Sequence, residues 1–122
     1  MYKCSGDFKS CDGASKGWFK IDQMGMTAPP LSGTSWGNNK VLTQKKWTSK
    51  IPAQLMAGNY LVRHELLALH QANAPQFYPE CAQITVTGSG TASPSSEYLA
   101  SSPGYASQSD AGIMVSRLQP CA

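Results

Sequence analysis

An all-β sandwich is the fold class this sequence predicts, on three observations. Charged residues make up 14% of the chain, well below the roughly 25% of a typical soluble domain, while Gly, Pro, Ser and Thr are plentiful. Apolar residues fall into short runs, roughly five to seven of them, separated by turn-forming residues rather than strung into long helical stripes. Four cysteines in a chain of 122 residues read as a disulfide framework made in an oxidising compartment. The length suits a single domain, residues 1–122, with one core.

Taken in order, residues 4–16 (CSGDFKSCDGASK) are turn chemistry throughout. Cys4 and Cys11 flank Ser5-Gly6-Asp7 and are the favoured disulfide pair. That leaves Cys81 to Cys121, or to a partner outside this chain. A zinc site is the rival use of these cysteines, but their spacings are not those of a ribbon or finger. Gly17 to Asp22 (GWFKID) reads as a strand, with aromatics and Ile among polar residues. Residues 24–40, with Pro29-Pro30, Gly33 and Gly37-Asn38-Asn39, read as a long loop. Lys46 to Ile51 (KWTSKI) alternates apolar and polar and reads as a second strand.

Gly58 and Asn59 punctuate the next segment, Tyr60 to His70 (YLVRHELLALH). Its Leu, Glu, Ala and Arg favour a helix, and Val62, Leu66 and Leu69 fall on a helical stripe. Its strand-like neighbours pull the other way. Gln83 to Thr87 (QITVT) is a clear strand, ended by Gly88-Ser89-Gly90. Residues 91–110, rich in Ser, Pro, Gly and Tyr, form a loop, and Gly112 to Ser116 (GIMVS) is a last short strand.

Several functions are disfavoured. The net charge of +3 comes from scattered basic residues, with only Lys45 and Lys46 adjacent, so there is no stripe for nucleic acid. No apolar stretch approaches a membrane span. Met1 is followed at once by Tyr2, Lys3 and Cys4 with no apolar leader, so a secreted protein would have lost its leader, and Met1 reads as a truncated start. His64-Glu65 begins like a zinc-protease helix, but the second His belongs at position 68, which is Ala. A nucleophile elbow and a phosphate loop are absent. A glycosidase carboxylate pair has no positive signal, because several of the acids, Asp7, Asp12, Asp22, Glu65, Glu80, Glu97 and Asp110, sit where turns want them.

The stretch from Ile51 to Gly90 carries a resemblance. Gly58-Asn59-Tyr60-Leu61-Val62-Arg63-His64-Glu65, then Ala68-Leu69-His70, Gln76-Phe77-Tyr78-Pro79-Glu80-Cys81 and Val86-Thr87-Gly88 resemble the lytic polysaccharide monooxygenases of auxiliary activity family nine. Gly17-Trp18-Phe19-Lys20-Ile21-Asp22, the Cys4 turn and the Trp47 segment also match. Ser109-Asp110-Ala111-Gly112-Ile113 resembles the family's Asp-Pro-Gly-Ile, with Ala in place of Pro. Ordered blocks from about Tyr2 to Val115 are far more specific than one short motif.

The resemblance implies an immunoglobulin-like β-sandwich, incomplete at its N-terminal side, in which Tyr60 to His70 is a strand. On an unbroken strand Tyr60, Val62, His64, Leu66, Ala68 and His70 would share a face. It implies a secreted fungal protein that uses copper and an external electron donor to cleave cellulose or a hemicellulose oxidatively. In the family a histidine brace holds the copper: a first-residue His binds by its amino group and imidazole, and a second His supplies a third nitrogen. By resemblance Tyr78 takes the axial metal position, and His70 and Gln76 take positions that hydrogen-bond the oxygen species.

Residue 1 here is Met, and neither His64 nor His70 aligns with a brace ligand. A copper site assembled from His70, Tyr78 and the Met1 amino group, or completed by a second chain, is the route by which the chain would be an enzyme. The upstream partner of the Cys81 position is missing, which makes Cys121 its expected substitute. Strand edges normally paired with the missing part make a dimer a candidate.

His64 is expected to be buried and hydrogen-bonded. Trp18, Trp36 and Trp47 are expected to pack rather than to carry sugar, and Tyr98 or Tyr105 is left to stack on a sugar ring. A non-catalytic polysaccharide-binding module, and a hydrolase working through Glu65 and Asp110, are the alternatives to the oxidative enzyme.

Overall fold

The computed structural model describes residues 1–29 and 33–113. The only sheet among them has three antiparallel strands in the order β1–β2–β3: β1 is Tyr2–Lys3, β2 is Gly58–Ala68 and β3 is Gln76–Val86. The β2–β3 hairpin is the spine, paired without a break from Gly58↔Val86 to Ala68↔Gln76. Helix propensity in YLVRHELLA is therefore overridden. Eleven residues of β3 offer ladder partners along the whole of β2, and tertiary pairing of that length outweighs local preferences of a few tenths of a kcal/mol per residue.

Of the expected strand Gln83–Thr87, Gln83–Val86 proves to be only the end of a longer strand, and Thr87 lies just beyond it. The Pro-Glu-Cys run that disguises the rest is tolerated because β3 pairs on one side alone among the described residues. An edge strand accepts Pro79, whose missing N–H can face away from the ladder.

Two expected strands do not form. Within Gly17–Asp22 only Trp18 bridges, to Tyr2 and to Ala100, because a two-residue β1 gives no ladder to extend. Lys46–Ile51 is irregular and is tied down by side chains instead. Trp47 Nε1 donates to Asp22 Oδ2 and to Ser49 Oγ (3.0 Å each), and Ser49 Oγ donates to the same Asp22 oxygen (2.6 Å). The expected loop at 24–40 ends in a helix, α1, Gly37–Gln44. It closes on Lys45 in the left-handed region (φ 55°), whose N–H reaches Val41 O. Residues 91–110 are a loop with one 3₁₀ turn, Ser96–Tyr98. Of the expected last strand, Gly112 and Ile113 lie in a turn, and the remainder is outside the described residues.

The core is small: Met1, Phe19, Leu55 and Tyr60, with Ile21, Val62, Ile84, Val86 and Leu99 packed on it. Tyr60 is 1% exposed, and its hydroxyl donates to Met56 O at 2.7 Å. Tyr60, Val62, Ile84 and Val86 lie on one face of the hairpin by register, so the core covers that face only at its Gly58–Val86 end. The tryptophans pack as expected. Trp18 donates to Gly13 O (2.8 Å) and lies against Tyr2. Trp36 precedes α1 and bridges Met26. Trp47 holds Asp22 beneath Lys40. Cys4 and Cys11 form the expected disulfide.

Candidate functional site

At the far end of the hairpin the same face is left open. Side chains two apart on a strand share a face, and directly paired residues do too. The register therefore aligns Gln76 with Ala68, Tyr78 with Leu66 and Glu80 with His64 on the face that the core covers at its other end. Tyr78 is 53% exposed, and its hydroxyl donates to Gln76 Oε1 at 2.6 Å. That bond links the two side chains on one strand face.

His70 lies two residues beyond β2, exposed in the connection to β3. The structure thus joins Tyr78 to Gln76 and sets His70 at the same end of the hairpin, where its imidazole makes no hydrogen bond to the described residues. His64 is not buried as expected: it is exposed in mid-strand opposite Glu80, because no layer of the described residues covers the sheet there. The alternation of Gln76, Tyr78 and Glu80 would have signalled this face, had 76–82 been recognised as strand.

The opposite face is locked. Arg63 pairs with Glu65, and Tyr105 Oη donates to the same carboxylate. Phe77 meets the Tyr105 ring edge-to-face at 6.1 Å, and the Arg63 guanidinium lies 5.5 Å from its centre. Burial, and then the bonded Glu65 carboxylate, push the Tyr105 hydroxyl well above the usual phenolic range. Tyr105 is thus a clasp for the 99–113 loop, and Tyr98, at 70% exposure, is the freer ring. Of the proposed carboxylate pair, Glu65 is held by Arg63 and Tyr105, and Asp110 accepts the Gly112 N–H in a turn (2.9 Å). Both have structural work.

Copper nitrogen ligands can be tested against this arrangement. No three His, Cys, Asp or Glu side chains converge among the described residues. The Met1 amino group is buried and donates to Phe19 O at 2.6 Å, and desolvation lowers its pKa from the ordinary 8.0 to about 6. It lies beside β1, which pairs with β2 at Leu61 on the side away from β3. The register from Lys3↔Tyr60 to Tyr2↔Leu61 brings Met1 level with Val62, four residues and roughly 13 Å along the strand from Leu66, the partner of Tyr78. The Met1 amino group, bonded to Phe19 O, and the Tyr78–Gln76 pair thus stand at different places along the hairpin and are not joined by any contact among the described residues. The donors of the described residues do not fit a copper ion held by imidazole and amine nitrogens. Cys81 is exposed on β3 with a free thiol, so the expected bridge to Cys121 is not part of the described structure; Cys121 itself lies outside the described residues.

Comparison with known proteins decides the lineage. The family model described as Auxiliary Activity family 9 (formerly GH61) matches residues 1–120. The chain belongs to that family. AA9 family lytic polysaccharide monooxygenase D of Thermothelomyces thermophilus is 57% identical over 124 aligned positions, covering 93% of this chain and 48% of the relative. AA9 family lytic polysaccharide monooxygenase B of Heterobasidion irregulare is 47% identical, covering 94% and 48%.

Among solved structures, a cellulose-active polysaccharide monooxygenase from M. thermophila superposes with a TM-score of 0.83 at 54% identity, over 93% of this chain and 53% of that one. HiLPMO9B superposes at 0.85 and 46%, over 93% and 51%. These neighbours are AA9 β-sandwiches, so the mostly-β chain carries the sandwich fold expected of it. The chain spans about half the length of the relatives it matches.

Proposed function

We propose that this AA9 chain is a single polysaccharide-facing β module in which Tyr78 would contribute a phenol oxygen to a family copper centre, and that it does not cleave glycan by itself. The observation that carries this is the exposed Tyr78–Gln76 pair at 2.6 Å, at the same hairpin end as His70, with no convergent nitrogen donors among the described residues. Tyr78, Gln76 and His70 are the residues assigned to the site. Oxidative cleavage of cellulose or a related glucan, with copper and an external electron donor, would then require imidazole donors from outside the described residues. The family membership supports a secreted, extracellular setting, as does the Cys4–Cys11 disulfide.

A copper(II) titration followed by electron paramagnetic resonance, run beside a cellulose sedimentation assay, tests this. The expected outcome is binding to insoluble glucan, no stoichiometric nitrogen-rich copper signal, and no oxidised oligosaccharide above a free-copper control. Stoichiometric nitrogen-rich binding with oxidised products from the chain alone would overturn it.

A further inference from the structure

Met24 and Met26 are exposed, at 41% and 49%, although Met ranks among the residues most often fully buried. Only Gly25 separates them, and the chain runs through Met24 and Gly25 without a turn or bend. Side chains two apart on an extended segment share a face, with their α-carbons roughly 7 Å apart. The segment is anchored on both flanks. The Gly37 N–H donates to Gly25 O (3.1 Å), and the Thr27 N–H and hydroxyl both donate to Ser35 O (2.8 and 3.1 Å). Those bonds bracket the antiparallel Met26–Trp36 bridge, so it is a non-hydrogen-bonded pair, the closer kind, with the half-buried indole on the methionine's face. A Cβ on Gly37 would lie 2.6 Å from Met24 O, so the start of α1 packs directly on the Met24 backbone. Asn38 ties that start to β2 by donating to Leu67 O at 2.8 Å. The backbone of the pair is thus held, and the thioether arms are its free ends.

We infer that Met24 and Met26 form a binding site for a soft monovalent metal ion, copper(I), held between their two thioether sulfurs beside the Trp36 ring. Donor chemistry selects the ion. Thioethers suit copper(I), whereas calcium, magnesium and manganese take oxygen, and zinc takes imidazole, thiolate or carboxylate. The nearest oxygen donors in sequence are already engaged. Asp22 accepts from the Gln23 N–H, Trp47 and Ser49, and Gln23 Oε1 accepts from Lys20 at 2.7 Å. Reach is sufficient, because each Met side chain has three rotatable bonds with which the two sulfurs close on one ion. The indole adds a face that attracts a cation. A patch that served only as apolar surface would have no use for sulfur, and leucine would replace methionine in it without loss. The ion is bound without change of oxidation state, and the site is independent of the Tyr78 assignment.

The test is a titration of the full chain, its thiols capped with N-ethylmaleimide and its methionine methyls labelled with ¹³C, with acetonitrile-stabilised copper(I) under nitrogen. Capping removes the exposed Cys81 thiol, which would otherwise compete. Saturable shifts of the Met24 and Met26 methyls together are expected, with the Met1 and Met56 methyls unmoved. A thioether has no proton to displace, so the titration should be the same at pH 5 and pH 7, whereas binding through an imidazole would weaken as the ring protonates. M24L and M26L should each weaken binding and M24L/M26L should abolish it, while M56L should bind like the parent. Leucine nearly conserves the volume, and an unchanged circular dichroism spectrum would show that the double variant is folded. Shifts that never saturate, movement of only one of the two methyls, binding lost at pH 5, or full affinity in the folded double variant would each overturn the assignment.

Discussion

The Met1 amino group is the clearest case of a residue whose surroundings change its chemistry. Burial disfavours its charged form and lowers its pKa to about 6, whereas in the unfolded chain it titrates near 8. Between those values the unfolded state binds more protons than the folded state, so stability rises with pH across the interval. Chemical denaturation at pH 6, 7 and 8 should give a rising midpoint from this group, and acetylating the amino group should flatten that part of the rise. Gly90 is a second sensitive position. A Cβ there would lie 2.3 Å from Leu55 O and 2.6 Å from Gln54 O, both backbone atoms that cannot swing away. Gly90→Ala should cost about 2 kcal/mol in urea unfolding, as overpacking does.

Among elements, the hairpin is strong and its surroundings are stapled. The turn at 4–11 has no ladder of its own beyond β1 and depends on the Cys4–Cys11 bridge. Closing a loop of this length stabilises by about 2 kcal/mol, so the Cys4→Ala/Cys11→Ala variant should lose about that much in a denaturant midpoint comparison. Helix α1 ends on Lys45 at φ 55°, a conformation that suits Gly and strains a residue with a Cβ. Lys45→Gly should leave stability unchanged or raise it by about 0.5 kcal/mol, the relieved strain offsetting the added chain entropy. Thermal melting of the two proteins checks this.

For the whole molecule, the uneven cover of the sheet is what matters. One face is packed at the Gly58–Val86 end by Met1, Phe19, Leu55 and Tyr60, and is bare where Tyr78, Glu80 and His64 stand. β2 has a neighbour on each side near Leu61, whereas β3 has one throughout its described length. Hydrogen exchange should follow this pattern. The Tyr60 and Leu61 amides are expected to be the most protected, and alternate amides of Pro79–Gln83 to exchange within minutes. Uniform slow exchange along β3 would mean that something covers its edge in solution.

Much of this protein was legible in its residues alone. Gly58-Asn59-Tyr60 through Cys81, read as ordered blocks, carried the family, and the Ser5-Gly6-Asp7 turn between two cysteines carried the disulfide, because both depend on neighbours close in sequence. The strand state of Tyr60–Ala68 was legible only through the resemblance. Its local propensity is helical, and the ladder that decides against a helix comes from residues up to 28 positions away in the Gly58↔Val86 pairing. Other outcomes belonged wholly to tertiary structure: that Gly17–Asp22 and Lys46–Ile51 find no ladder, that His64 is exposed, and that Tyr78 bonds Gln76 while Met1 is spent on Phe19 on the far side of β2. A strand needs a partner and burial needs a covering layer. Neither is a property of the segment itself, so composition and periodicity cannot supply them.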